Sequence, residues 1–251
     1  MPQTFVTNAV VSAIRELPGF PNLKVLDLSC GEGEVLELLA AAGCRAQGTH
    51  YRQDDYIIKD RGRLATIPVT GGVDLQRRLP FEDAAFDVVV LTEVLEHLES
   101  HFNVLHEAGR LLRPGGHLVF STPNIFRLHS RLQFFLSGKH KLIRRRAGWD
   151  LPANKLYAYH INPVDFPLLH TVLHQAGFQV EQLRFTRFKF KSLFFLALWP
   201  LVWLTTRLTV DAAVRGRNLF REGERDLNRW LTHPALLSSE QLLCVARRLA
   251  R

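Results

Sequence analysis

Three side chains able to bind a metal or move a proton stand together in the stretch TEVLEHLE, residues 92–99: Glu93, Glu96 and His97. They follow Phe86-Asp87-Val88-Val89-Val90-Leu91, a β-branched apolar run that reads as a strand covered on both faces. If EVLEH forms the first turns of a helix, the three stand at i, i+3 and i+4 and share one face, while Val94 and Leu95 turn toward packing. Three chemistries fit. Acidic residues favour a helix N-terminus and His97 is then a solvated or core-capping imidazole. Alternatively, His97 serves as a general base on a substrate hydroxyl. Or the trio ligates a divalent cation, with a fourth donor from elsewhere in the chain. His160, in AYHINPVDF just before another helical pattern, is a candidate for that donor. His170 and His174 fall on an amphipathic helix and read as surface or core histidines.

The elements that must position these groups alternate in type. KVLDLS (24–29), CRAQGTH (44–50), ATIPVTGGVD (65–74), FDVVVLT (86–92) and HLVFSTP (117–123) read as strands or contain one. EVLELLAAAG (34–43) has helical spacing and stops at Gly43; HFNVLHEAGRLLRPGG (101–116) is a helix stopped by Pro114 and two glycines. VDFPLLHTVLHQAG (164–177) reads as a helix, FQVEQLRF (178–185) as a strand and EQLLCVARRL (240–249) as the last strand. This rhythm predicts an α/β fold, a doubly wound and mostly parallel seven-stranded sheet. One domain over 1–251 is expected, with a core of about 20–185 plus the last strand, and basic, aromatic insertions at about 124–160 and 186–235.

Between the first strand and first helix lies DLSCGEG (27–33). In such sheets ligands bind outside the carboxyl ends of the strands, and glycines let a ligand approach the backbone there. The dinucleotide fingerprint G-x-G-x-x-G is absent, since Leu36 follows Gly31 and Gly33 at its last position, which disfavours NAD.

Taken together, VLDLSCGEG, DLQRRLPFEDAAFDVVVLTEVLEHLE and LLRPGGHLVFSTPN resemble, in order and spacing, the class I S-adenosylmethionine-dependent methyltransferases across about residues 20–185. The resemblance implies the Rossmann-like methyltransferase fold and S-adenosylmethionine as cofactor. It implies that Asp27, Cys30, Gly31 and Gly33 border the methionine part, with Ser29 where the family's first glycine stands. Asp74 would reach the adenine amine, with Leu75 beside the ring; a turn aspartate capping the next segment is the other reading of Asp74. His50 stands where the family places an acidic residue for the ribose hydroxyls, and a neutral imidazole is not a bidentate acceptor. Asp54 or Asp55, from the following loop, is the alternative acceptor; Tyr51 reads either as packing on the adenine or as a plain surface tyrosine. E-x-x-E-H followed by a later histidine also resembles the ubiquinone-pathway O-methyltransferases and the small-RNA 3′-end 2′-O-methyltransferases. That resemblance implies a divalent-metal site at Glu93, Glu96, His97 and His160, with Glu96 and His97 catalytic.

The net charge of +8 points to a solvated basic surface or an anionic partner. Three cysteines without C-x-x-C spacing suggest a reducing compartment and no disulfide framework. No signal peptide is evident, so a cytoplasmic protein is expected. The segment 122–146 interleaves apolar residues with Arg127, Arg131, Lys139, Lys141 and Arg144–Arg146. The run LFFLALWPLVWL (193–204), interrupted by Pro200, is flanked by Lys189, Lys191 and Arg207 and holds Trp199 and Trp203. It is too short to span a bilayer, which needs roughly 20 residues. It fits an interfacial anchor or a lid over a lipid-like substrate, or else a buried helix or dimer contact. TPN leading into a basic helix resembles methyltransferases of bacterial surface-polysaccharide and lipid-linked sugar pathways. The expected acceptor is therefore a hydroxyl of a small-molecule or lipid-linked saccharide, with peripheral contact to the inner face of the membrane. RNA is the runner-up, although no RNA-binding module is recognisable, and a non-catalytic binding scaffold is the third reading.

Overall fold

Apolar side chains alternate along the central strands, so one strand feeds two cores. Val89 and Leu91 face one layer with Leu118 and Phe120, while Val88 and Val90 face the other with Val119. All seven of these side chains are fully buried, which is the pattern of strands covered on both faces. The computed structural model describes residues 4–51, 66–140, 159–187, 194–195, 197–216 and 221–250, the side chains of 210–216 and 221–222 excepted. Asp54, Asp55, Lys141, Arg144–Arg146, Lys189 and Lys191 lie outside the described residues.

The strands are β1 (Lys24–Asp27), β2 (Arg45–Thr49), β3 (Val69–Thr70), β4 (Phe86–Thr92), β5 (Leu112–Pro123), β6 (Phe178–Arg184) and β7 (Gln241–Arg248). They form one seven-stranded sheet in the order β3-β2-β1-β4-β5-β7-β6. The first five pair in parallel, and β7 runs antiparallel to both β5 and β6. The expected doubly wound sheet is therefore present. Its strand order reverses between β1 and β4, and that is where the carboxyl ends leave a crevice.

Helices α1 (Thr4–Arg15) and α2 (Glu34–Ala41) cover one face. Helices α3 (His101–Leu111), α5 (Phe166–Gln175) and α7 (Arg221–Leu231) lie over the other, where Val104, Leu169 and Trp230 join the core. The remaining helices are α4 (Leu128–Ser137), α6 (Trp199–Gly216) and the short α8 (Pro234–Ser238). The sequence reading starts the core near residue 20 and so leaves out α1. That helix is integral, because Val6, Val10 and Ile14 are fully buried. The helix expected over 101–116 ends at Leu111, and β5 starts at Leu112. The chain irregularity falls between Phe86 and Val88 of its partner strand, so Pro114 and its glycines sit inside a strand with shifted register.

One glycine contact sets the crevice wall. A Cβ on Gly48 would lie 2.6 Å from Leu36 Cδ1 and 2.9 Å from Cys30 Sγ. Only a residue without a side chain lets α2 and the loop before it pack this closely on β2. The loop between β3 and β4 is tied to α3 by Arg110, which donates to the carbonyls of Leu79 and Phe81 and to Glu107 and Asp83.

Candidate active site

At the carboxyl end of β1 the chain turns sharply through Ser29, Gly31 and Gly33, all at positive φ (65°, 56° and 80°). Glycine tolerates this and serine does so only at some cost. Ser29 is held there because its N–H donates to Thr49 Oγ1 at 3.0 Å, while Cys30 N–H donates to Thr49 O at 3.0 Å. A Cβ on Gly31 would meet nothing within 4 Å, so this backbone borders open space. The turn, the start of α2 and the end of β4 enclose a small cavity lined by Asp27, Ser29, Cys30, Gly31, Glu34 and Thr92, among others. Helix α1 reaches its rim, where Thr7 donates to Glu34 at 3.0 Å.

Two polar atoms in this wall are buried and have no hydrogen-bond partner: Asp27 Oδ1 and Thr92 Oγ1. Burial of Asp27 pushes its carboxyl up to about 8. A buried carboxylate oxygen beside an unsatisfied hydroxyl is what a cationic, hydrogen-bonding group would relieve. The residues therefore fit the amino-acid end of S-adenosylmethionine. The enclosed space is about 40 Å³, so it takes a small polar group and leaves the rest of a nucleotide on the open rim.

His50, the residue after β2, donates its amide to Thr70 O and accepts from Val73 N–H, which sets it beside the segment carrying Asp74 and Leu75. Tyr51 beside it is exposed. Asp74 is already engaged by the chain: Oδ1 accepts from Gln76 N–H at 2.9 Å, and Oδ2 pairs with Arg77 at 3.2 Å. Leu75 is buried in the core with Val73 and Leu79.

On the β4 side the geometry differs from the helix expected over EVLEH. Glu93 has φ of 56°, and only Leu95–His97 form a helical turn, of the tight 3₁₀ kind. The shared helix face at i, i+3 and i+4 is therefore absent. Val94 and Leu95 are buried, as expected. Glu93 accepts from Ser121 Oγ at 3.0 Å, while its own N–H donates to Ser121 O at 3.0 Å. Ligand atoms of Glu96, His97 and His160 lie within 4.8 Å of one another, and Glu93 falls outside that group. Of the expected four donors, three gather here, while the Glu93 carboxylate is engaged by Ser121.

The three donors are held from behind. Thr122 Oγ1 donates to Glu96 Oε2 at 2.9 Å, and Glu96 Oε1 is buried with no hydrogen-bond partner. Burial, reinforced by the Glu93 carboxylate, raises the Glu96 carboxyl well above its usual range. Burial likewise pushes Glu93 up to about 7. His97 Nδ1–H donates to Tyr159 O at 2.9 Å, which leaves the ring lone pair on Nε2. The rings of His97 and His160 meet edge to face, 4.9 Å apart and 82° inclined. Asn162 clamps the incoming segment: its N–H donates to Glu96 O, and its side chain donates to Leu98 O and Glu99 O. One carboxylate and two imidazoles, with an unsatisfied oxygen among them, fit a first-row divalent cation.

Thr92, Thr122, Tyr159 and Asn162 were missed by reasoning from sequence. Thr122 and Asn162 lie within TPN and AYHINPVDF, but hydroxyl and amide roles need the fold to be seen. His170 is structural, facing Asp226 of α7 at 2.8 Å. Asn124 of TPN is buried, donating to Leu236 O and Ser239 O and accepting from Phe126 N–H, so it fastens the end of β5 to α8.

The methyltransferase-domain family model matches residues 3–183. The chain belongs to the class I S-adenosylmethionine-dependent methyltransferases. It is 32% identical over 157 residues to a Mycolicibacterium smegmatis protein named a probable S-adenosylmethionine-dependent methyltransferase, covering 62% of this chain and 52% of that one. It is 34% identical over 103 residues to the ubiquinone biosynthesis O-methyltransferase of Photorhabdus laumondii, covering 40% and 43%. The chain thus spans about half the length of the curated relatives it matches. An Archaeoglobus fulgidus SAM-dependent methyltransferase structure shares the fold, with TM-score 0.58, 20% identity and coverage of 98% and 94%.

Pro200 does not interrupt a helix: it is the second residue of α6, where a missing N–H is tolerated. Among the described residues no helix is long and apolar enough to cross a membrane.

Proposed function

We propose that this methyltransferase transfers the methyl group of S-adenosylmethionine to a hydroxyl oxygen aligned by Glu96, His97 and His160. The observation that carries the reading is the three-donor cluster, with its unsatisfied Glu96 oxygen, on the same strand end as Thr92 of the cofactor cavity. A divalent cation held there would lower the pKa of an acceptor hydroxyl and fix its direction. The chain's own part is alignment, because an activated methyl chiefly requires a correctly placed lone pair. Tyr159 O fixes the His97 tautomer, Thr122 orients the Glu96 carboxylate, and Asn162 keeps the His160 segment against both.

The acceptor we favour is a sugar hydroxyl, on a small molecule or a lipid-linked glycan. Exposed Trp199, Leu201, Trp203, Leu204 and Leu208 on α6 support a peripheral contact of that face with an apolar surface. A phenolic hydroxyl is the second reading, supported by the ubiquinone biosynthesis O-methyltransferases among the relatives. RNA stays behind both, resting on the charge of +8 and on the E-x-x-E-H resemblance to small-RNA 2′-O-methyltransferases. Radiolabelled methyl transfer to a panel of saccharide, phenol and RNA acceptors, with and without manganese, tests the proposal. Label on a hydroxyl only when metal is present supports it. Metal-independent labelling of nitrogen or carbon contradicts it.

A further inference from the structure

Away from the methyl-transfer site, α6 and α7 enclose an open cleft of about 420 Å³ lined by Trp203, Arg207, Arg225, Asn228, Arg229 and Thr232. Helical spacing builds it. Trp203 and Arg207 are four residues apart on α6, Arg225, Asn228 and Arg229 follow one face of α7 at i, i+3 and i+4, and Thr232 comes from the turn just after α7. Facing helices normally bury apolar side chains between them. Here three arginines, Arg207, Arg225 and Arg229, line the cleft, and Arg225 and Arg229 form a like-charged i, i+4 pair. Among the described residues, no carboxylate lines the cleft.

The cationic side chains are braced. Arg207 lies over the Trp203 ring at 5.2 Å and Arg229 over Trp230 at 4.8 Å. Trp230 is itself buried, and Trp199 Nε1 donates to Thr232 O at 3.0 Å, tying the two helices together. Planar forked donors held on aromatic faces suit phosphate oxygens better than a point charge does. Asn228 adds a neutral donor group. On the same helix as Trp203, the side chains of Leu201, Leu204 and Leu208 are exposed. That apolar surface disfavours a wholly hydrophilic polyanion and favours a phosphate ester that also carries hydrocarbon.

We propose that the α6–α7 cleft is a phosphate-ester binding site, built from Arg207, Arg225 and Arg229. It stands independently of the methyl-transfer reading. The shared chemistry is a phosphate or diphosphate group, and its source is either a lipid headgroup or a soluble phosphate.

The test uses the full chain. Binding is measured to vesicles of phosphatidylcholine, to the same vesicles with phosphatidylglycerol added, and by calorimetry to inorganic pyrophosphate. The variants are Arg225→Gln and the triple Arg207→Gln/Arg225→Gln/Arg229→Gln. Arg225 is exposed, so its replacement leaves the packing intact even if the triple variant misfolds. Thermal melting and S-adenosylhomocysteine binding serve as controls and stay unchanged for Arg225→Gln. Loss of at least about tenfold in affinity for the phosphate probe supports the site. If the loss is seen with phosphatidylglycerol vesicles, the source is a lipid headgroup; if it is seen with pyrophosphate alone, the source is a soluble phosphate. Equal binding of wild type and Arg225→Gln to every phosphate probe overturns the proposal.

Discussion

On its β1 side the cleft is made by one uninterrupted loop, Asp27 to Val35, closed by Thr92. On its β4 side, Glu96 and His97 meet a histidine, His160, that arrives far along the chain on a segment clamped by Asn162. The first half depends on local backbone geometry, with Ser29, Gly31 and Gly33 at positive φ. The second depends on a tertiary contact, which local substitutions leave untouched and a distant one can undo. Cofactor binding and acceptor alignment are therefore expected to fail separately.

The largest separation is expected from His97→Ala or Glu96→Ala. Each should lower turnover by at least about 100-fold while changing S-adenosylhomocysteine affinity less than twofold, about the resolution of calorimetry. A parallel loss of cofactor affinity would show that the two halves are one unit.

Asp27→Asn addresses the other half. Cofactor affinity should fall about tenfold, as a charge-assisted bond is lost. In the wild type, burial keeps Asp27 protonated up to about 8. A cationic cofactor prefers the ionised form, so its affinity should rise with pH until about 8 and then level off; in Asp27→Asn that slope should vanish. The same shift works against the fold. The unfolded chain ionises in the ordinary carboxylate range and the folded one only near 8, so stability falls as pH rises between them and is flat above. Calorimetry and melting across that interval check both signs.

Asn162→Ala reports on the clamp. Manganese affinity should drop roughly tenfold, as for removal of an outer-shell partner, with the Asp27 pH profile unmoved. The smallest effect is expected from Ser29→Gly, which relieves a left-handed serine and should stabilise the fold by about 1 kcal/mol in denaturant unfolding.

The same contrast explains what the sequence showed. Continuous apolar runs such as Phe86–Thr92 and the glycine turn after Asp27 are local signals, so the sheet and that turn are readable in outline. Helix α1 carries Val6, Val10 and Ile14 at i, i+4 and i+8, a spacing that marks a helix but not the sheet face it covers. Glu96 and His97 do come together, but on a 3₁₀ turn and not on the shared helix face that i, i+3, i+4 spacing predicts. Glu93 adopts φ of 56°, which no propensity scale assigns to glutamate, and its carboxylate goes to Ser121 instead. His160 was found by resemblance; the peptide carbonyl of Tyr159 that sets the His97 tautomer carries no side-chain signature at all.

Electron paramagnetic resonance of added manganese, on the wild type and on His160→Ala, tests the account most directly. One protein-bound ion in the wild type, weakened at least about tenfold in His160→Ala with cofactor affinity retained, is the predicted result. A spectrum of free manganese in both proteins, or equal binding by both, would contradict it.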